Sequence, residues 1–225
     1  MAQTLFRAAV VLMLCCTPAL AMEKFANEKD LMAWVTSYYQ HPEPNFVDEA
    51  FKDAHELGIL KDTNYIPVII GFFAGVFETD KDLRRPIAEL NYNLPQVERH
   101  AILRSLHLSS KNEEPAPLLA EPLERTPLVV DMLWGYFYAT GDEAAVKRVI
   151  GALPWSTMKR EDANNDQDLR WEAGASAKQT LVTNAAHHQR VMEICKKELP
   201  NQPPEIKPIL QEVISQAEGR PAPGA

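Results

Sequence analysis

The chain has 225 residues, 46% of them hydrophobic, with a formal net charge of −8 and a pI near 5.3. That length suits one domain with enough chain for a real core. The acidity argues against nucleic acid or anionic lipid as the main partner, because both need neutralising Lys and Arg, and no basic run offsets it.

The first residues read as an export signal. Arg7 supplies positive charge, Ala8 to Leu14 form an apolar stretch, and Pro18 breaks it. Ala19 and Ala21 then place small residues where a signal peptidase cuts, so the mature chain is expected to begin at Met22. Neither Cys15 nor Cys16 follows the Leu-small-small pattern of a lipoprotein signal, so no lipid anchor is expected. Loss of residues 1–21 removes Arg7 and no acid, making the mature chain one unit more acidic. It keeps Cys195 alone, which excludes an internal disulfide. An exported chain held by its core and not by disulfides fits a bacterial periplasm better than a disulfide-dense secreted domain. The expected location is therefore the periplasm or the medium. Tyr65 to Phe77, the longest apolar run of the mature chain, is shorter than the ~20 residues a membrane span needs and reads as a buried helix.

The segments beyond Met22 have helical periodicity. Asn27 caps a helix running to about Tyr39, ended by Pro42 and Pro44. Val47, Ala50, Phe51, Ala54 and Leu57 form the apolar face of the next, and Gly58 is placed to terminate it. Further helices are expected at 65–78, 83–90, 95–108, 127–139, 143–153, 169–199 and 204–218. Residues 109–126 read as a Pro-rich connector and 219–225 as a disordered tail. No period-2 alternation or hairpin turn signal points to a sheet.

An internal repeat joins two of these segments. At an offset of 60 residues, Pro67, Gly75, Phe77 and Asp82 meet Pro127, Gly135, Phe137 and Asp142. After a three-residue insertion, expected to lie in a turn, Arg84–Leu90 meets Lys147–Leu153. The matched glycines mark special backbone positions, here a close helix approach at Gly75 and Gly135. Related hairpins at 67–90 and 127–153 imply stacking, since each unit buries its apolar face only on a neighbour.

The second copy carries a family resemblance. Leu133-Trp134-Gly135-Tyr136-Phe137-Tyr138-Ala139-Thr140-Gly141-Asp142-Glu143 resembles the first helix and turn of a tetratricopeptide-type hairpin, with Gly135 and Tyr138 at that family's Gly-to-Tyr spacing. Trp134 stands between Leu133 and Gly135, and the copies recur at 60 residues in place of the family's 34. The resemblance implies a helical-repeat scaffold that binds protein or peptide on a concave face.

Four patterns invite a chemical reading. Ser156-Thr157-Met158-Lys159 matches the Ser-x-x-Lys of penicillin-interacting enzymes, but the Ser-x-Asn and Lys-Thr-Gly elements those enzymes need are missing. A surface turn with Trp155 packed inward is the simpler expectation. Asp162, Asn164, Asp166 and Asp168 alternate as calcium ligands do, yet Gln167 and Ala173 occupy the places of the turn glycine and the bidentate glutamate. A solvated acidic linker capping the next helix is expected instead. His188, Met192 and Cys195 fall on successive turns of one stripe and could hold copper or zinc, but the stripe is the apolar face and reads as core. Finally, Asp131, Trp134 and Tyr138 share one helix face and could line a groove that anchors a partner. Burial of that face inside the array is the competing expectation.

The sequence therefore predicts an all-α protein, a short solenoid of seven to nine helices stacked as antiparallel hairpins, spanning residues 22–218. Its predicted function is that of an exported, non-enzymatic binding protein for a peptide, protein or envelope component. No catalytic residue, cofactor or metal is assigned to it, and its oligomeric state is left open. The alternatives are an exported enzyme or metal-binding protein, and an inhibitor or immunity-type protein for an envelope-acting enzyme.

Overall fold

The computed structural model describes residues 25–109 and 116–219, which contain eleven α-helices and no strand. The expected signal segment 1–21 and the expected tail beyond Gly219 lie outside the described residues. So do residues 110–115 of the connector. Among the described residues, no helix is long and apolar enough to cross a membrane.

Local chemistry sets most helix ends. α1 (Glu28–Ser37) starts at Asn27, whose side chain accepts the Asp30 N–H at 3.0 Å. α2 (Val47–Glu56) gives way to Gly58 at φ +79°, the left-handed conformation that glycine adopts without a Cβ clash. α3 (Ile66–Thr79) is buried at every position from Ile69 to Phe77. α4 (Arg84–Tyr92) and α5 (Gln96–Leu108) carry the chain back. A single-turn helix inside the connector, α6 (Pro117–Ala120), leads to α7 (Val129–Thr140). Gly141 at φ +66° ends α7, and Asp142 caps α8 (Glu143–Gly151) by accepting the Ala144 N–H at 2.8 Å. α9 (Arg170–His187), α10 (Gln189–Glu198) and α11 (Lys207–Glu218) complete the fold.

The expected helix over 169–199 is two helices. His188 leaves the helical conformation at φ −123°, ψ 106°, so α9 ends and α10 begins there. No Pro or Gly marks the break. Tertiary contact sets it: Arg190 Nε, on the first turn of α10, donates to the Gly141 carbonyl at 2.9 Å, and the His188 ring enters the core. This break and α6 account for eleven helices in place of nine.

α3 and α7, the helices that the 60-residue offset aligns, lie directly on each other. A Cβ on Gly71 would sit 1.8 Å from the Met132 carbonyl oxygen, and one on Gly135 would sit 1.9 Å from that of Val68. A Cβ on Gly75 would come within 2.8 Å of Ala139 and 3.2 Å of the Tyr136 carbonyl. Gly71 meets Met132 and, one turn further on, Gly75 meets Tyr136 and Ala139, so α3 and α7 run in the same direction. Each is apolar on all sides and must be covered all round. Trp34 of α1 and Tyr38, just past its end, lie edge-on against Phe72, with centroids 5.6 and 5.3 Å apart. α5 covers another side of α3, where the buried Ser105 hydroxyl donates to the Ile70 carbonyl at 2.9 Å.

The two second helices start from equivalent caps, but not those the alignment matched. Asp80 accepts the Asp82 N–H at 3.1 Å just as Asp142 accepts that of Ala144. The counterpart of Asp142 is therefore Asp80. On that pairing two of the three extra residues of the later segment fall between Phe137 and Asp142, at the turn where Gly141 ends α7, and the third falls in the first turn of α8.

Gly71→Ala and Gly135→Ala should each destabilise the protein by at least ~1–3 kcal/mol, the range for overpacking, because a backbone carbonyl blocks the new methyl. Gly151 at the end of α8 has nothing within 4 Å of its would-be Cβ, so Gly151→Ala should be neutral or stabilising by up to ~1 kcal/mol. Urea unfolding of the three variants checks both signs. A Gly135→Ala protein as stable as the parent would refute the close α3–α7 approach.

Candidate functional site

The face of α7 that carries Asp131, Trp134 and Tyr138 is assembled as its spacing predicts, with the Trp134 and Tyr138 rings stacked at 6.4 Å. It does not line an open groove. Trp134 is 2% exposed and Tyr138 7%, and Asp131 is half-buried, its carboxyl raised above the usual range by that burial. α9 covers the Tyr138 end of this face. The Tyr138 hydroxyl donates to Asn184 Oδ1, and Asn184 Nδ2 donates to the Thr180 carbonyl at 3.0 Å. His188 packs 5.4 Å from the Tyr138 ring, with Nδ1 3.3 Å from the Tyr39 hydroxyl. These groups tie α9 to α7. The desolvated imidazole is held neutral, with its pKa pushed down to about 4 by burial and by neighbouring His187.

His188, Met192 and Cys195 are all buried, as the core reading of their stripe expects. Among the described residues, no group of three or more His, Cys, Asp or Glu side chains is placed to hold a metal ion. Cys195 is fully buried and its thiol is pushed up to about 12 by desolvation. Ser156 and Lys159 are not one helical turn apart, because the 3-10 turn Leu153–Thr157 ends first and Met158 is extended.

The loop of alternating oxygen ligands instead builds a cleft. Arg170 Nε and Nη2 donate to the two carboxylate oxygens of Asp168 at 2.8 and 2.7 Å. Asn164 adds its backbone and side-chain N–H groups to Asp168 at 3.1 Å each. The Arg170 guanidinium, with the Asn164 backbone N–H second, holds the Asp168 carboxyl well below the usual carboxylate range. This clamp closes the loop and fixes a planar, hydrogen-bonding floor. Asp162 is taken up by the Lys159 backbone N–H at 2.8 Å.

Two contacts pin the clamp to the body. The Leu169 N–H donates to the Glu124 carbonyl at 2.8 Å, drawing the connector alongside the loop. Gly174 lets α9 meet the backbone of Trp155, where a Cβ would lie 2.2 Å from the carbonyl carbon. The result is a cleft of about 300 Å³ with Glu124 and Arg125 on one side and half-buried Trp155 on another. Asn164, Asn165, Gln167, Asp168 and Arg170 complete the lining. A second cavity of about 220 Å³ shares Asn165 and Asp168 and has Trp171 in its wall. Trp155 packs against the core as expected and also forms part of the cleft wall. Nothing in the sequence announces that Glu124 and Arg125 reach this loop; the Leu169–Glu124 bond brings them.

No known family matches the chain, and no curated protein or solved structure shows significant similarity to it. The geometry of the cleft therefore carries the functional argument alone.

Two predictions concern the buried groups. His188 is neutral when folded but titrates near 6.5 when unfolded, so protons favour the unfolded chain below that pH. Stability should be full above pH 6.5 and should fall by about 3 kcal/mol as the pH drops to 4. Acid titration of the unfolding free energy should show this limb flattened in His188→Phe. Cys195 should resist alkylation by iodoacetamide until the protein is unfolded in urea; rapid labelling of the native protein would show that α10 opens.

Proposed function

We propose that the chain is an exported binding protein of a cell envelope, cleaved before Met22, which takes a ligand into the cleft beside α9 and performs no chemistry on it. Residues 22–218 form its single domain, with the hairpins at 67–90 and 127–153 as copies of one unit in a short, tetratricopeptide-like solenoid. The parallel meeting of α3 and α7 at matched glycines supports that scaffold, because successive units of a solenoid set equivalent helices side by side.

The binding reading rests on one observation. At the cleft an aromatic wall, convergent hydrogen-bonding side chains and a pinned backbone coincide. Such convergence in a preformed concavity is the mark of a small-ligand site. The absence of chemistry is supported by the floor: a carboxylate locked under a guanidinium is a poor general base. The partner face first drawn from Asp131, Trp134 and Tyr138 gives way to the cleft because Trp134 and Tyr138 are buried.

Two measurements test this. Mass spectrometry of protein recovered from the envelope should find Met22 as the amino terminus; functional protein retaining residues 1–21 would reverse the location. Immobilised mature protein exposed to a deproteinised envelope extract should retain a small ligand. Arg125→Ala and Gln167→Ala, both at exposed positions, should abolish retention at an unchanged melting temperature. Retention unaltered in both variants would dismiss the cleft.

A further inference from the structure

The lining of the cleft has a chemical preference. Its first cavity holds two carboxylates, Glu124 and Asp168, and two guanidiniums, Arg125 and Arg170. Arg170 and Asp168 already neutralise each other through two short hydrogen bonds. The second cavity adds Arg160 but also Asp166 and Glu172. An anion would find no net positive field in this strip, and at its far end would meet two further carboxylates, Asp166 and Glu172, against the single guanidinium of Arg160. What remains is a surface of mixed donors and acceptors.

The carboxamides of Asn164, Asn165 and Gln167 each carry both donor and acceptor atoms. Asn164 Nδ2 spends one N–H on Asp168 and Asn165 Oδ1 accepts one bond from the Gln167 N–H, which leaves a second N–H and a second lone pair on them for a ligand. A hydroxyl group is also both, so a carboxamide can give and take with the same ligand hydroxyl. Each cavity has a half-buried tryptophan in its wall, Trp155 in the first and Trp171 in the second. An indole offers a broad apolar surface beside polar groups. A ligand that matches all of this has flat apolar faces edged by neutral hydroxyls, repeated at short intervals.

On the reading that the cleft is the binding site, we infer that its ligand is an uncharged oligosaccharide whose successive rings lie against Trp155 and Trp171 and whose hydroxyls are held by the carboxamides around the Asp168–Arg170 floor. The shared residues Asn165 and Asp168 place the two cavities next to each other, as neighbouring rings of one chain require. The pinning of Trp155 by Gly174, and of the loop by Glu124, means that little ordering has to accompany binding.

Isothermal titration of the mature protein with maltotriose, cellotriose, chitotriose and inorganic phosphate tests the assignment. At least one trisaccharide should bind saturably and phosphate should not. Trp155→Ala and Gln167→Ala should each weaken that binding by about tenfold or more. The exposed Gln167→Ala change should leave the melting temperature at the parent value, so its effect cannot come from misfolding. Saturable binding of phosphate in place of every trisaccharide would overturn the inference, as would trisaccharide binding that neither variant weakens. If no trisaccharide binds but Gln167→Ala still abolishes retention of the ligand from envelope extract, the cleft stands as the site and the saccharide assignment falls. If both fail, the binding reading falls with it.

Discussion

The structure depends on a backbone contact. α3 and α7 approach so closely at Gly71 and Gly135 that a single methyl would overlap a carbonyl oxygen of the facing helix. Close approach places many backbone and side-chain atoms in van der Waals range, and dispersion gains are collective. It also leaves two helices that are apolar on every side and have no polar face for solvent. The remaining helices answer that requirement. α1 and the residues just past its end cover the α3–α7 pair through Trp34 and Tyr38, α5 lies along α3, and α9 closes the far face of α7.

The same requirement reaches the cleft through a short chain of contacts. The face of α7 that carries Tyr138 fixes α9 through Asn184 and, at the end of that helix, through His188. The beginning of α9 in turn fixes Trp155, because Gly174 admits the Trp155 backbone where any side chain would exclude it. Arg170, on the first turn of α9, then clamps Asp168 and closes the loop. Glycine contacts at both ends of this chain make the cleft a consequence of core packing. A site built so has little freedom to lose when a ligand arrives.

Much of the fold was legible in the sequence because local chemistry decides it. The Asn27 cap, the terminating turns at Gly58 and Gly141, and the run from Tyr65 to Phe77 all follow from residue type and spacing. Gly75 and Gly135 could be read as close-approach positions because they recur at matching places in two helices. Gly71 joins Ala74 and Gly75 in a small-residue face of α3 that admits close approach, although its counterpart at the 60-residue offset is Asp131 and not a glycine. The break at His188 was invisible because no local signal competes with the helix; a buried imidazole and the Arg190–Gly141 bond impose it from outside. Asp82 was matched to Asp142 by number, whereas capping geometry pairs Asp142 with Asp80. The spacing of Asp131, Trp134 and Tyr138 located a shared face correctly but carried no information on what covers it. For the cleft, sequence showed the alternating oxygens of 162–168. It did not show that Arg170 claims Asp168, or that Glu124 and Arg125 arrive from the connector.

The central claim is that ligand meets this protein at the cleft and not on α7. The chain has four tryptophans, Trp34, Trp134, Trp155 and Trp171, and each gives one indole signal in a 1H–15N spectrum. Addition of the ligand fraction from envelope extract should shift the Trp155 and Trp171 signals together with the side-chain amides of Asn165 and Gln167, leaving Trp34 and Trp134 in place. A shift confined to Trp134, with Trp155 and Trp171 unmoved, would contradict the account and return the partner site to α7.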